Sequence, residues 1–176
     1  MEPIEALKRG EEEAIQWLVD SFSQRLLKAA TLMLGDQCLA EDAVQDCLID
    51  AISHLSDFRG EASIYTWLYT ILLRRCKRQR KRSLGQVQSF SSQSLERLFS
   101  IQGNYASLPP IGEKRALRAT IKSLKYKYRE VIVLFYYEEF SIKEIAELLS
   151  EPEGTIKNRL HRAREKLKDI LEREEQ

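Results

Sequence analysis

This sequence offers little for catalysis. It has two histidines, His54 and His161, far apart in the chain, and three cysteines, Cys38, Cys47 and Cys76, at no metal-ligand spacing. No nucleophile–base pair and no glycine-rich phosphate loop stands beside them, so the residues argue against an enzyme and call for no cofactor and no metal. Three thiols give no disulfide framework. They are expected to be reduced and mostly packed, a redox switch being the lesser alternative. The chain also lacks the run of about 18 apolar residues that a membrane span needs. Glu2, Glu5, Lys8 and Arg9 interrupt any apolar start, so a cytoplasmic protein without direct membrane binding is expected. No alternation of apolar and polar residues argues for a sheet.

Net charge is missing too, at +1 over 176 residues. That balance hides a segregation. Met1–Ser56 holds 4 basic and 11 acidic residues, whereas Asp57–Arg82 holds 8 basic and 2 acidic. Ser83–Gly112 has one of each. Glu113–Gln176 has 15 basic and 13 acidic, with the basic ones concentrated after Gly154. Blocks of opposite sign point to at least two partners of opposite charge.

What is present is helical periodicity. Glu11–Leu34 reads as one or two helices ending at Gly35. In Leu39–Leu55 the residues Ala43, Val44, Cys47, Leu48, Ala51, Ile52 and Leu55 share one face. The stretch Ser56–Ser63 reads as a loop whose Ser63 caps a helix from Ile64. That helix is apolar through Leu73 and then turns into "RRCKRQRKR". Ser83–Gly112, with seven Ser, three Gly and the pair Pro109-Pro110, has linker composition, with a short helical turn at "SLERLF". Helices resume over about Glu113–Leu124 and Lys127–Glu138. The fold expected is all-α: two small helical domains, 1–82 and 113–176, joined by a flexible linker, 83–112.

The C-terminal domain ends in a recognisable unit. "SIKEIAELL" carries Ser141 and Glu144 at capping-box spacing. A turn at Ser150–Pro152 leads into a long basic helix. There Ile156, Leu160, Ala163, Leu167, Ile170 and Leu171 form one stripe, with Asn158, His161, Arg162 and Glu165 opposite and Lys157, Arg159, Arg164, Lys166 and Lys168 on the flanks. A capped helix, a short turn and a second helix make a helix-turn-helix. Its second helix enters a major groove, where Arg and Lys donate to guanine and Asn pairs with adenine. A solvated bundle face accounts for the charges but leaves the cap, turn and stripe unexplained. Positive charges that repel on a surface helix are neutralised by phosphates, with release of counterions.

Tyr128–Leu167, "YREVIVLFYYEEFSIKEIAELLSEPEGTIKNRLHRAREKL", resembles the promoter-reading C-terminal domain of bacterial sigma factors. Leu34–Arg75, "LGDQCLAEDAVQDCLIDAISHLSDFRGEASIYTWLYTILLRR", resembles their core-binding domain. Both in this order, with a short linker between, resemble the extracytoplasmic-function class of the sigma-70 family. The resemblance implies a non-enzymatic subunit that binds core RNA polymerase and directs promoter-specific transcription initiation. It places core binding on Asp42, Gln45, Asp46 and Asp50, facing a basic coiled coil of the largest polymerase subunit. It places minus-ten reading on Phe58, Arg59, Tyr65, Trp67, Arg74, Lys77 and Arg78, with Arg75, Arg80, Lys81 and Arg82 tracking the duplex just upstream. For Tyr65 and Trp67 a core role stands beside the reading role. Minus-thirty-five contacts fall to Thr155, Lys157, Asn158, Arg159, His161, Arg162 and Arg164. A membrane-anchored anti-sigma factor is the further partner implied. Three residues depart from the family pattern: Arg74 replaces a small polar residue, Lys125 a proline and Ser150 a glycine, the last predicting a turn that is slightly strained or rearranged, since a non-glycine residue at positive φ is uncommon.

Overall fold

A small-residue stripe decides how the N-terminal helices meet. Ala29 and Ala30 on one helix and Ala40, Ala43, Cys47 and Ala51 on the next are fully buried, and short side chains let helix backbones approach closely. In the computed structural model, which describes residues 3–89 and 112–174 (side chains of 86–89, 112–117, 171 and 174 excepted), that stripe joins α2 (Glu12–Leu34) to α3 (Gln37–Ser53). A short α1 (Ile4–Lys8) precedes them. The corner between α2 and α3 is made by Gly35, at φ 71° and ψ 11°, whose N–H donates to Thr31 O at 2.8 Å. Asp36 then caps α3, accepting from Leu39 N at 2.9 Å.

α4 (Ile64–Ser89) lies across both. Ser63 caps it through Oγ, which accepts from Thr66 N at 3.1 Å. Leu68, Tyr69, Leu72, Leu73 and Cys76 of α4 are buried against Leu18, Leu26, Met33 and Cys47. Fully burying a large apolar side chain stabilises by roughly 1.5–3 kcal/mol, so this three-helix core is the domain's main source of stability. α4 runs on to Ser89, past the boundary expected at residue 82. Once a helix is nucleated each further residue adds a hydrogen bond, and the single Gly85 is too weak a breaker to stop it. Residues 90–111, including the Pro109-Pro110 pair and the "SLERLF" turn, lie outside the described residues.

The second helical set is α5 (Gly112–Ser123), α6 (Tyr126–Ile132), α7 (Ile142–Leu149) and α8 (Glu153–Glu174). No strand occurs among the described residues, as the periodicity predicts. A π-helical turn, Val133–Tyr137, ends α6. Lys125, standing where the family pattern has proline, sits at φ −61°, the angle a proline ring would impose, so the backbone there is undisturbed.

The capping box is complete. Ser141 Oγ accepts from Glu144 N at 3.2 Å, and Glu144 Oε2 accepts from Ser141 N at 2.8 Å. The Ser141 hydroxyl, which donates to Glu144 Oε2 at 2.7 Å, and then the Ser141 N–H hold the Glu144 carboxyl below its usual range. Ser150 adopts φ 54° and ψ 45°, a left-handed conformation that is strained for a non-glycine residue, so of the two outcomes expected here strain is the one found.

The two sets pack on one another: α2 touches α5, α6 and the π-turn, and α4 touches α7. A β-carbon on Gly35 would lie 2.5 Å from Arg129 Nη1, the far end of a flexible side chain, so what fixes glycine at this corner is its positive φ. Glu130, 3% exposed, sits 3.9 Å from Lys77 Nζ, and its Oε1 has no hydrogen-bond partner among the described residues.

Two outcomes follow. Ser150→Gly relieves left-handed strain of roughly 1–2 kcal/mol, partly offset by a more flexible unfolded chain. Urea melts should show a net gain below about 1 kcal/mol. Burial pushes the Glu130 carboxyl up despite the opposing charges of Lys77, Arg159 and Arg80. A raised folded value gives stability that is present below the unfolded carboxylate range and lost as pH rises through the folded one. Glu130→Gln should therefore match the parent in acid and exceed it near neutrality. Chemical denaturation across pH checks this.

Candidate nucleic-acid and polymerase interface

The geometry of α8 follows from its apolar stripe. Ile156, Leu160 and Ala163 are buried and Leu167 and Ile170 half-buried, which turns the opposite side to solvent. The Leu171 side chain lies outside the described residues. Lys157, Asn158, His161 and Arg162 are all exposed on that open side, and Thr155 is half-buried in the first turn. Two contacts along the helix are loose, Lys157 to Glu153 at 3.8 Å and His161 to Glu165 at 3.4 Å. The local potential is positive. Burial pushes the Tyr128 hydroxyl up, yet the adjoining Arg162 guanidinium and the charges of Lys127 and Lys166 outweigh it and lower its pKa.

Two of the flanking cations, Arg159 and Arg164, have partners within the chain. Arg159 donates to Glu151 Oε1 at 2.6 Å. Arg164 Nε donates to Tyr136 Oη at 2.7 Å, with its guanidinium 5.6 Å from that ring's centroid and 5.8 Å from Phe135's. Periodicity finds the flank on which an arginine sits but not the aromatic turn that reaches up to it.

The loop before α4 divides its residues. Phe58 is 5% exposed, with its ring 5.3 Å from Trp67. The expectation that it lies open to a base is corrected here: its apolar ring is covered by the half-buried Trp67. Arg59 is exposed beside Gly60, at φ 74°. Arg74, Arg78, Lys81 and Arg82 are exposed on α4, and Lys77 and Arg80, also exposed, lie beside Glu130 and the Tyr126 ring. Arg75 differs. It pairs with Asp50 and approaches Asp46 at 3.6 Å, so it ties α4 to α3 rather than standing on the basic row.

That pairing also changes the acidic face. Asp42 and Gln45 are exposed, while Asp46 and Asp50 are half-buried, Asp50 accepting from Arg75 Nε at 2.6 Å. Among them stands Ile49, 56% exposed, which the apolar-face analysis passed over because it falls on the polar side. A large exposed aliphatic flanked by Gln45, Asp46 and Asp50 gives this surface an apolar contact as well as charge.

Tyr65 sits where the two helical sets meet. Its hydroxyl donates to Glu138 Oε2, which also accepts from Arg25 Nε at 2.8 Å. The Tyr65 ring stacks on Phe140 with centroids 5.3 Å apart and planes 19° apart, and Tyr69 lies 4.8 Å away. Burial, and then the Glu138 carboxylate, push the Tyr65 hydroxyl up, so it remains a donor. Sequence spacing found Tyr65 but neither Arg25 nor Glu138. The thiols behave as packed side chains at Cys47 and Cys76, where burial raises both pKa values, Cys47 to about 12; Cys38 is exposed.

Residues 18–84 match the family model "Sigma-70 region 2", and residues 114–167 match "Sigma-70, region 4". The ECF RNA polymerase sigma factor SigW of Bacillus subtilis is 29% identical over 96% of this chain and 94% of its own. The sigma factor RpoE of Bartonella quintana, solved with the anti-sigma factor NepR, shares the fold at a TM-score of 0.72. It is 24% identical and covers 89% of this chain and 96% of that one. CnrH, solved with the cytosolic domain of CnrY, gives 0.69 at 25% identity, over 96% and 94%. With both region models matched in order over most of its length, and with relatives of that kind, the chain belongs to the sigma-70 family and to its extracytoplasmic-function class.

Proposed function

We propose that this chain is a dissociable RNA polymerase subunit that recruits the core enzyme to particular promoters. One observation carries the reading. Behind a capped α7 and a left-handed turn, α8 buries one side and leaves Lys157, Asn158, His161 and Arg162 open together on the other. In a major groove those four meet base edges. Thr155 and the helix start hold a phosphate, and Arg159 and Arg164 reach backbone after exchanging their present partners.

On the N-terminal domain, Asp42, Gln45, Asp46 and Asp50, with Ile49 added, form the surface for a basic coiled coil of the largest polymerase subunit. Arg59, Tyr65, Trp67, Arg74, Lys77 and Arg78 form the minus-ten face, and Phe58 supports Trp67 from below. A base stacked on an aromatic side chain is worth roughly 1–3 kcal/mol, which offsets its extrusion. An anti-sigma factor, membrane-anchored, is the regulator in this reading; one chain of the same fold was solved with an anti-sigma factor and another with the cytosolic domain of CnrY.

Run-off transcription with purified core polymerase on genomic fragments tests the function. Discrete promoter-dependent transcripts are expected, and none on any fragment would overturn it. Within a transcribing system, Arg162→Ala should relax preference at one minus-thirty-five position at a cost of about 1–3 kcal/mol, whereas Arg164→Ala should weaken all sequences alike and lower the salt slope by about one. Selection from a randomised promoter pool at two salt concentrations separates these effects.

A further inference from the structure

The turn Glu138–Phe140 is built at a cost. It leaves a π-helical turn, with Glu138 N bonded to Val133 O at 3.1 Å and Phe140 N to Leu134 O at 3.0 Å. Between them Glu139 is held at φ 57°, a region where non-glycine residues are strained. The result is that Glu138 and Phe140 reach the same spot on the N-terminal domain, and both are nearly buried there, at 6% and 5% exposure.

That spot has a defined chemistry. Arg25 Nε and the Tyr65 hydroxyl both donate to the Glu138 carboxylate. The Phe140 ring lies nearly parallel on Tyr65 and edge-on to Tyr69, at 5.2 Å. The Arg25 guanidinium is 4.6 Å from the Tyr65 centroid. This is no interior core, because the Arg25 side chain is 49% exposed and Tyr65 half-buried. A second cation is treated alike: Lys77 of α4 faces Glu130, also from the C-terminal set. A flat ring on an aromatic platform, with an anion beside it on an arginine and a phenol, is what one nucleotide presents as base and phosphate.

We propose that Arg25, Tyr65 and Tyr69 form a cradle for one nucleotide of single-stranded DNA, and that Glu138 and Phe140 occupy it as an internal substitute, so that the free chain masks its own DNA-reading face. The proposal rests on the reading of α4 as a strand-facing helix. It adds Arg25 to that face and gives the strained turn a role. Opening the two helical sets vacates the cradle, and a single strand then takes the place of the turn.

The test uses the full chain, without polymerase, and a short randomised single-stranded DNA as probe. Glu138→Gln keeps the shape and removes the anion. Phe140→Leu keeps the apolar character and removes the flat ring. Each should enlarge the radius of gyration in small-angle scattering and tighten binding to the probe. If the free chain is closed about nine-tenths of the time, the gain approaches tenfold. Adding Arg25→Ala to Glu138→Gln should lower the salt slope by about 0.7, the value of one phosphate on a single strand. Three results would overturn the proposal: both variants stay closed, the chain opens without binding more tightly, or the salt slope ignores Arg25. Run-off transcription by the parent chain is read separately. Its failure removes the proposed function and leaves the scattering and binding results standing on their own.

Discussion

Two nearly buried carboxylates, Glu130 and Glu138, govern how this chain is put together. Both belong to the C-terminal helices, and cations of the N-terminal helices, Lys77 and Arg25, face them. A charge withdrawn from water without a counter-charge is expensive, so neither carboxylate is comfortable unless the two sets meet or the site opens to solvent. The surrounding aromatics are arranged around this requirement, with Tyr65 and Tyr69 under Phe140 and the Arg80 guanidinium 4.8 Å from the Tyr126 centroid. Closure thus sets each carboxylate beside a cation, Glu138 hydrogen-bonded to Arg25 and Glu130 still carrying a cost of burial, and the aromatic and apolar contacts must offset that cost.

The magnitudes make that closure moderate. Arg25 and Lys77 are each about half exposed, and ion pairs open to water are worth about 0–1 kcal/mol. An aromatic pair adds roughly 0.5–1.5 kcal/mol beyond its area. A few such terms hold two domains together without locking them. A chain that must spread over a large partner needs this range: weaker contacts would leave its charged faces open to non-specific nucleic acid, and stronger ones would consume the binding energy of the partner.

Much of this was legible in the sequence, for physical reasons that differ by element. The capping box at Ser141 and Glu144 was readable because two side chains three residues apart satisfy each other's backbone, and no tertiary contact is needed. At Ser150 the sequence showed a turn under strain or rearranged, because serine stands where the turn favours glycine, and it did not choose between the two. The α8 stripe was readable because burial of one side of a helix has a fixed period. What periodicity could not supply were contacts between residues distant in sequence. Arg75 looked like one more member of a basic row until Asp50 turned it inward. Phe58 looked like a loop aromatic until Trp67 covered it, and Ile49 was lost among acids. Arg25 stood alone in an acidic segment with nothing to mark it, since its partner is 113 residues away. The extent of α4 was misjudged for another reason: composition reads Ser83–Ser89 as linker, but an established helix propagates through weak formers.

The same electrostatics that close the chain also set how it meets nucleic acid. The cations facing Glu130 and Glu138 are of the kind that phosphates attract, and an internal carboxylate competes with an external polyanion at an effective concentration fixed by the linker. Salt weakens both interactions, but unequally. Two half-exposed ion pairs are screened modestly, whereas a strand engaging many cations loses affinity with each counterion it no longer releases. Closure therefore gains on DNA binding as ionic strength rises, and the open, reading form is favoured where phosphate is dense and salt is low. Partner-driven opening then needs only to supply the few kcal/mol estimated above, and the acidic face around Asp42 and Gln45, proposed above for core polymerase and exposed on α3 in the closed arrangement, is free to begin it.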